Sequence, residues 1–268
     1  MSHVFRRLSI DELEGDLGRA TGGDTVKSAL SAALTSSLMF VACASTAVSE
    51  ISNPKYQDAV KELGVPNALE GELDTGWEYF LTLHSACSED LDLCTLYEFA
   101  VVDTYLSQVL AGFVGQSVDE AAPAGISSMR FREIQKILST HHGAWMEEIR
   151  RRKGWFKLSE YGNDADSAAF LLLQHSDDIG LQKKFLPKLA ALAKSGEANA
   201  RNVALLSDRI AIKEGKKQLY GTQGKCEGQL AWSPFTISKP ERLDERREGI
   251  GLPPMDSYRK NMAETYCK

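Results

Sequence analysis

A histidine at the end of an apolar segment is the residue best suited to acid–base chemistry. The stretch AAFLLLQHSDD (168–178) places His175 after Gln174 and before two acids. Helical spacing surrounds His175 with apolar residues on nearly every side, which predicts a buried helix. Histidine ordinarily titrates near neutral pH, and a buried imidazole needs a hydrogen-bonding partner, which Asp178, three residues on, is close enough to supply. The functional interpretation is a general acid or base oriented by a carboxylate, and the alternative is a satisfied core histidine.

A second set of polar residues lies further along the chain. Asp208 and Arg209 are adjacent on a predicted helix, and further polar side chains surround Gly221, where glycine permits a tight backbone path. The candidate catalytic residues are His175, Asp178 and Asp208, and the candidate substrate-binding residues are Gln174, Arg209, Gln218, Tyr220, Gln223, Arg246 and Arg247. For Asp208 and Arg209 the structural alternative is a salt bridge that holds a helical hairpin to the last helix. For residues 220–223 (YGTQ) it is a turn whose side chains satisfy buried backbone.

Several function classes are disfavoured. The formal net charge of -6 argues against a nucleic-acid binder, which needs a cationic field. The sequence holds neither a G-x-G-x-x-G fingerprint nor a phosphate-binding Gly-Lys-Ser/Thr motif, so no cofactor is expected. His141 and His142 are adjacent, and neighbouring helical residues point about 100° apart, so they are poorly placed to share a metal ion. The five cysteines form no C-x-x-C pair, which argues against a structural zinc site.

The elements that must position these residues are predicted to be helices. Capping residues and apolar periodicity recur along most of the chain, which predicts an all-α fold. The predicted organisation is a helical domain over residues 1–115, a linker over 116–128, and a second helical domain over 129–268. Asp164 or Asp166 is expected to cap the helix that carries His175. Residues 217–237 lack helical periodicity and alternate glycines with β-branched and aromatic residues, which predicts a small β-hairpin or ordered loop.

Two local patterns bear on charge and on compartment. The basic run at 150–153 is interpreted as a helix C-terminus facing the macrodipole, with Gly154 as the stop. Residues 28–47 carry no charge and resemble a signal-peptide core, and Cys43 would be the lipidated residue of a lipoprotein. Apolar and hydroxyl residues of that segment nevertheless fall on opposite helical faces, and acids precede it. This favours a cytoplasmic protein with no membrane span, and export or lipid anchoring is the alternative.

Motifs in the second half resemble a known group of proteins. They are GW (154–155), QH (174–175), LLSDRI (205–210), KQLYGTQ (217–223), ERR (245–247) and GLPP (251–254). Together they resemble a widespread bacterial family of uncharacterised domains, over residues 127–260. The family pattern has proline after Gly-Trp, where this chain has Phe156. The resemblance supplies motif positions and implies no mechanism.

These patterns lead to two functional hypotheses. The first is a metal-independent hydrolase or transferase that acts on a small carboxylate-bearing or peptide-like substrate, with His175 as acid or base. The second is a non-catalytic helical module that binds another protein. The enzyme needs His175, Tyr220, Gln223 and an arginine around one cavity, whereas the binding module needs only a stable surface.

Overall fold

The chain folds mostly into helices. A computed structural model describes residues 53–64, 87, 90–111 and 126–267. Within these ranges the fold contains eight α-helices, one 3-10 helix and a two-stranded antiparallel hairpin. The prediction of a mostly helical fold with a small hairpin near residues 217–237 is confirmed. The predicted boundary at residue 115 and most of the predicted linker lie outside the described residues, so the domain limits stay a prediction.

The elements follow in chain order. The helices are α1 (Pro54–Glu62), α2 (Leu91–Ala111), α3 (Ser128–Arg152), α4 (Leu158–His175), α5 (Ile179–Lys194), α6 (Ala200–Lys213), α7 (Leu243–Glu248) and α8 (Met255–Tyr266). The strands are β1 (Gly224–Gly228) and β2 (Ala231–Pro234), and the 3-10 helix is Pro240–Arg242. None of the helices in the described ranges is long and apolar enough to cross a membrane. Residues 28–47 lie outside those ranges.

The chain groups into two compact units that divide between His141 and His142. In the first unit, an aromatic cluster joins three helices. The ring of His141 stacks on Tyr56 with 4.3 Å between centroids, and Phe99 meets the same imidazole edge-on at 5.4 Å. Burial lowers the pKa of His141. It also raises the pKa of Glu98, whose charge acts on Tyr56, to about 7.

The core of the second unit contains buried residues of α4, α5 and α6. Phe185 and Leu189 on α5 are fully buried, and Trp155 meets Phe185 edge-on with 5.5 Å between ring centroids. The basic run ends α3 as predicted, and Gly154 adopts a φ of +86° directly after it. The positive φ favours glycine at this position, and an added Cβ would also displace the flexible end of the Lys188 side chain.

The start of α4 corrects one prediction. Neither Asp164 nor Asp166 caps the helix, because α4 begins at Leu158 and continues past Gly162, where φ of 77° and ψ of 179° introduce a kink. Asp166 lies inside the helix and is fully buried. Its carboxylate accepts hydrogen bonds from Trp155 and Asn202 in the core.

The hairpin is fixed to the C-terminal helix. β1 and β2 pair antiparallel with Cys226 opposite Trp232, and the buried Trp232 meets Tyr258 of α8 edge-on. A disulfide joins Cys226 to Cys267, which lies directly after α8.

A second disulfide joins Cys87 to Cys94. Four of the five cysteines are therefore paired, and Cys43 lies outside the described residues.

Candidate functional site

The carboxylate of Asp208 is the centre of a hydrogen-bonded cluster. Asp208 lies on α6 and is fully buried. Its Oδ1 accepts from the main-chain N–H of Leu219 at 2.7 Å and of Tyr220 at 3.1 Å. Its Oδ2 accepts from the N–H of Tyr220 at 3.1 Å and from the N–H and hydroxyl of Thr222 at 2.9 and 3.0 Å. Because both oxygens serve one short segment, Asp208 holds that segment against α6.

Gln218 fastens both ends of the same segment. Its side-chain Nε2 donates to the carbonyls of Gln223 at 2.8 Å and Phe235 at 2.7 Å, and its Oε1 accepts from the N–H of Gln223 at 2.9 Å. Its main chain donates to Thr236 and accepts from Ser238. Gln218 is fully buried, so this amide is a structural fastening between residues 218–223 and 235–238.

The two arginines of the ERR motif bind carbonyl groups. Arg246 donates from Nε to Leu219 at 2.9 Å, from Nη1 to Lys239 at 3.1 Å and from Nη2 to Ser238 at 2.7 Å. These three bonds tie α7 to two neighbouring segments of main chain. The guanidinium of Arg246 thus donates its N–H groups to carbonyl oxygens of the protein itself.

Arg247 is fully buried beside the same segment. It donates from Nε to the carbonyl of Pro253 at 2.7 Å and from Nη1 to the carbonyl of Tyr220. The guanidinium lies 4.6 Å from the centre of the Tyr258 ring, at the distance of a cation–π contact. Burial lowers the pKa of Arg247, although an arginine remains charged at neutral pH.

Residues 218–223 therefore form a segment that we call the clamped loop. The main-chain N–H and C=O of every one of its residues except Gly221 bind a side chain or a neighbouring segment. Gly221 has a φ of +71°, and an added Cβ would lie 3.1 Å from the side chains of Ile237 and Met255. A loop with so many fixed main-chain groups has little freedom to change its conformation.

The clamped loop presents side chains outward. Leu219 is 43% exposed and Tyr220 is partly exposed, although the main chain of both is bound to buried groups. Gln223 is also partly exposed and donates from Nε2 to the Thr222 hydroxyl at 3.2 Å. The bound main chain thus presents an aliphatic, an aromatic and an amide side chain to solvent.

A second group of polar residues surrounds the end of α4. His175 is the last residue of α4 and is 4% exposed, so the predicted burial of this histidine is confirmed. Gln182 of α5 is fully buried and donates from Nε2 to the carbonyls of Leu173, Gln174 and Ser176. Within the described residues, no hydrogen-bond partner meets the buried Oε1 of Gln174 or of Gln182. Two unsatisfied amide oxygens therefore lie on segments that join beside His175.

The charged residues after His175 have local roles. Asp178 is exposed and caps α5, since its Oδ1 accepts from the N–H of Leu181 at 3.0 Å. Lys213, at the end of α6, has a pKa lowered by burial and by the charge of Arg209, while Asp177 and Asp178 raise it. Arg209 itself is buried. The turn before α5 and the end of α6 thus share one set of interacting charges.

The predicted site residues consequently divide into two groups. Asp208, Gln218, Tyr220, Gln223, Arg246 and Arg247 meet at the clamped loop. Gln174, His175 and Asp178 lie where α4 passes to α5, and Arg209 interacts with charges near that turn. Asp208 accepts from main-chain N–H groups and from the Thr222 hydroxyl, and its charge also acts on the buried Arg247. Within the described residues there is no group of three or more His, Cys, Asp or Glu side chains able to hold a metal ion.

Two buried residues, Asp166 and Gln182, have roles that the sequence did not predict. Asp166 accepts from Nε1 of Trp155 at 2.6 Å, from the N–H of Asn199 at 3.3 Å and from Nδ2 of Asn202 at 3.1 Å. Burial raises the pKa of Asp166 against the opposing effect of these bonds. The only sequence signal was an acid within an otherwise apolar helix. Gln182 gave no signal, because its partners are carbonyls of another helix.

These observations define a mostly helical domain built around a clamped loop. A family of unknown function, DUF6624, matches residues 134–268, which is half of the chain, and the chain belongs to that family. The resemblance to an uncharacterised domain family over residues 127–260 is thus confirmed. No curated protein and no solved structure matches the chain.

Proposed function

We propose that the protein is a binding module whose recognition element is the clamped loop. The observation that carries the proposal is that four polar side chains of the predicted site bind main-chain groups of the protein itself. Asp208, Gln218, Arg246 and Arg247 direct their polar groups to main chain in and around residues 218–223. Fixing a surface loop before a partner arrives lowers the entropy cost of binding, which is a common reason for such rigidity.

Two of the acids considered for catalysis have other roles, which supports binding over catalysis. Asp208 has both oxygens occupied by N–H and hydroxyl donors of the loop, and Asp178 caps a helix. Neither is then needed to orient His175. The side chains of Leu219 and Tyr220 are accessible to solvent, so they can contact an apolar or aromatic group of another protein.

An enzyme is the second candidate, and one observation favours it. The unsatisfied oxygens of Gln174 and Gln182 lie beside His175, and buried polar atoms without partners occur at catalytic and ligand-binding sites. In this candidate His175 is the acid or base of a hydrolase or transferase that acts on a small carboxylate-bearing or peptide-like molecule. Arg209 would then bind the carboxylate.

Panning a random peptide library on the purified protein tests the first candidate. Selected peptides should lose affinity when Tyr220→Ala or Leu219→Asp is introduced, because both side chains lie on the proposed contact surface. Leu230→Asp is the matched control, since Leu230 is 61% exposed on the hairpin and away from the clamped loop in sequence. Equal loss in Leu219→Asp and Leu230→Asp would contradict the proposal.

The enzyme candidate requires a different measurement. A panel of ester, amide and dipeptide substrates would be tested with the wild type and with His175→Gln, and unfolding would be followed on both. Activity that disappears in His175→Gln at unchanged stability supports the enzyme. Activity that is unchanged by this substitution excludes His175 as the acid or base.

The disulfides bear on compartment and organisation. We propose that the protein works in an oxidising compartment, the alternative that the sequence left open, because paired cysteines persist mainly outside the reducing cytoplasm. We also propose that the chain is organised into two helical domains. Alkylation of the native protein before reduction, followed by mass measurement, tests the pairing. Free thiols at Cys226 and Cys267 would contradict it.

A further inference from the structure

We infer that the segment docking on the clamped loop is an acidic stretch of a partner protein with an apolar anchor residue. This inference rests on the proposed function and adds the chemistry of the partner. It depends on the residues that surround Leu219, namely Lys217, Lys239 and Arg246. We call these four residues with Tyr220 the Leu219 surface.

Hydrogen bonds bring this surface together from three segments. The main chain of Gln218 bonds to Thr236 and Ser238, so residues 217–219 run beside residues 236–239. The single guanidinium of Arg246 then donates to the carbonyls of both Leu219 and Lys239. Positions 217, 219, 239 and 246 are therefore neighbours although they span three segments of the chain.

The cations at this surface differ from other basic residues of the second unit. Lys216 pairs with Glu214 at 2.6 Å, and Arg242 pairs with Glu245 at 2.7 Å. Lys217 and Lys239 are exposed, and within the described residues neither has a carboxylate at ion-pair distance. Arg246 binds carbonyl oxygens through its N–H groups, and the nearby Glu245, which pairs with Arg242, offsets part of the charge of Arg246. A cluster of such cations attracts a short acidic segment locally, although the chain as a whole carries a net charge of -6.

The apolar part of the surface decides between acidic partners. Leu219 is 43% exposed, Tyr220 and Ile237 are partly exposed, and they lie among the cations. An aliphatic or aromatic anchor with acidic neighbours complements this arrangement. A nucleic acid is disfavoured, because the negative charge of the whole chain opposes a long polyanion.

The test uses a fluorescein-labelled peptide in which leucine and phenylalanine alternate with glutamates, and fluorescence anisotropy reports its binding. Reversing both lysines, Lys217→Glu with Lys239→Glu, should weaken binding by roughly tenfold or more at low salt and reduce its salt dependence. The control reverses Lys55 and Lys194, which are also exposed lysines, and should leave the affinity within about twofold. A peptide with glutamine in place of glutamate should bind as weakly to the wild type as the acidic peptide binds to the reversed variant.

Each other outcome has a defined meaning. If both lysine pairs have equal effects, or if a single-stranded oligonucleotide binds as tightly as the peptide, the inference is overturned. Neutral library peptides that lose affinity in Leu219→Asp but not in the reversed variant would overturn the acidic partner and leave the proposed function standing. If no peptide responds to Leu219→Asp, both the inference and the proposed function fail.

Discussion

Replacing Asp208 by asparagine removes one acceptor from the most connected carboxylate in the structure. The amide of asparagine keeps one oxygen and gains an NH₂ group that cannot accept. If the oxygen takes the place of Oδ2, Leu219 loses its only acceptor at Oδ1 and Tyr220 keeps one of two. Hydrogen bonds to charged groups contribute about 1.5–3 kcal/mol each, and the relief of a buried charge offsets part of the loss. We expect Asp208→Asn to lower the free energy of unfolding by about 2–4 kcal/mol.

Urea unfolding and hydrogen exchange together measure this effect. The exchange of the amides of Leu219, Tyr220 and Thr222 should accelerate, because their shared acceptor has changed. Asp178→Asn is the matched control: asparagine caps a helix about as well as aspartate, so a change within about 0.5 kcal/mol is expected. Stability and amide protection in Asp208→Asn equal to those of the control would refute the role given to Asp208.

Three further experiments test separate parts of the structure. Burial raises the pKa of Glu98 from 4.5 to about 7, so the stability of the wild type falls as pH rises from about 4.5 to about 7. Glu98→Gln should therefore be more stable than the wild type by about 1–2 kcal/mol at pH 8, after discounting for partial exposure, and nearly equal to it at about pH 4 in thermal unfolding. Replacing Cys226 and Cys267 by serine opens a loop with a separation of 41 residues and should cost about 4 kcal/mol by urea unfolding, and no change would show that the bond is absent. Trp155→Phe and Asp166→Asn should each destabilise, and their double-mutant cycle should show coupling of about 1 kcal/mol or more, whereas simple additivity would disprove the Trp–Asp bond.

The local elements could be predicted because their signals are local. The end of α3 follows from a basic run and a glycine, and both are contiguous in the sequence. The break in helical periodicity near residue 217 indicated the hairpin for the same reason. The start of α4 could not be found in this way. Asp166 looks like a capping residue in sequence, but Trp155 and Asn202 use its carboxylate inside the core.

The polar motif residues show that residue type alone does not predict which group a side chain binds. The sequence predicted one site in which Asp208, Gln218, Arg246 and Arg247 join His175. The structure brings these four residues to the YGTQ segment and leaves His175 at the end of α4. Residue type alone suits each of them equally to a substrate or to a main-chain carbonyl or N–H. The choice depends on which group lies within hydrogen-bond distance, and segments far apart in the chain supply that group.

The sequence by itself determined the helical character, the buried position of His175 and membership of an uncharacterised family, because periodicity and motif order are properties of the linear chain. Only the tertiary structure decided that the arginines bind carbonyls, that Asp208 fastens a loop and that Leu219 lies near two lysines with no carboxylate at ion-pair distance in the part of the chain that the structure describes. Hydrogen-bond geometry and solvent exposure arise when distant segments pack, and the order of residues does not encode them locally.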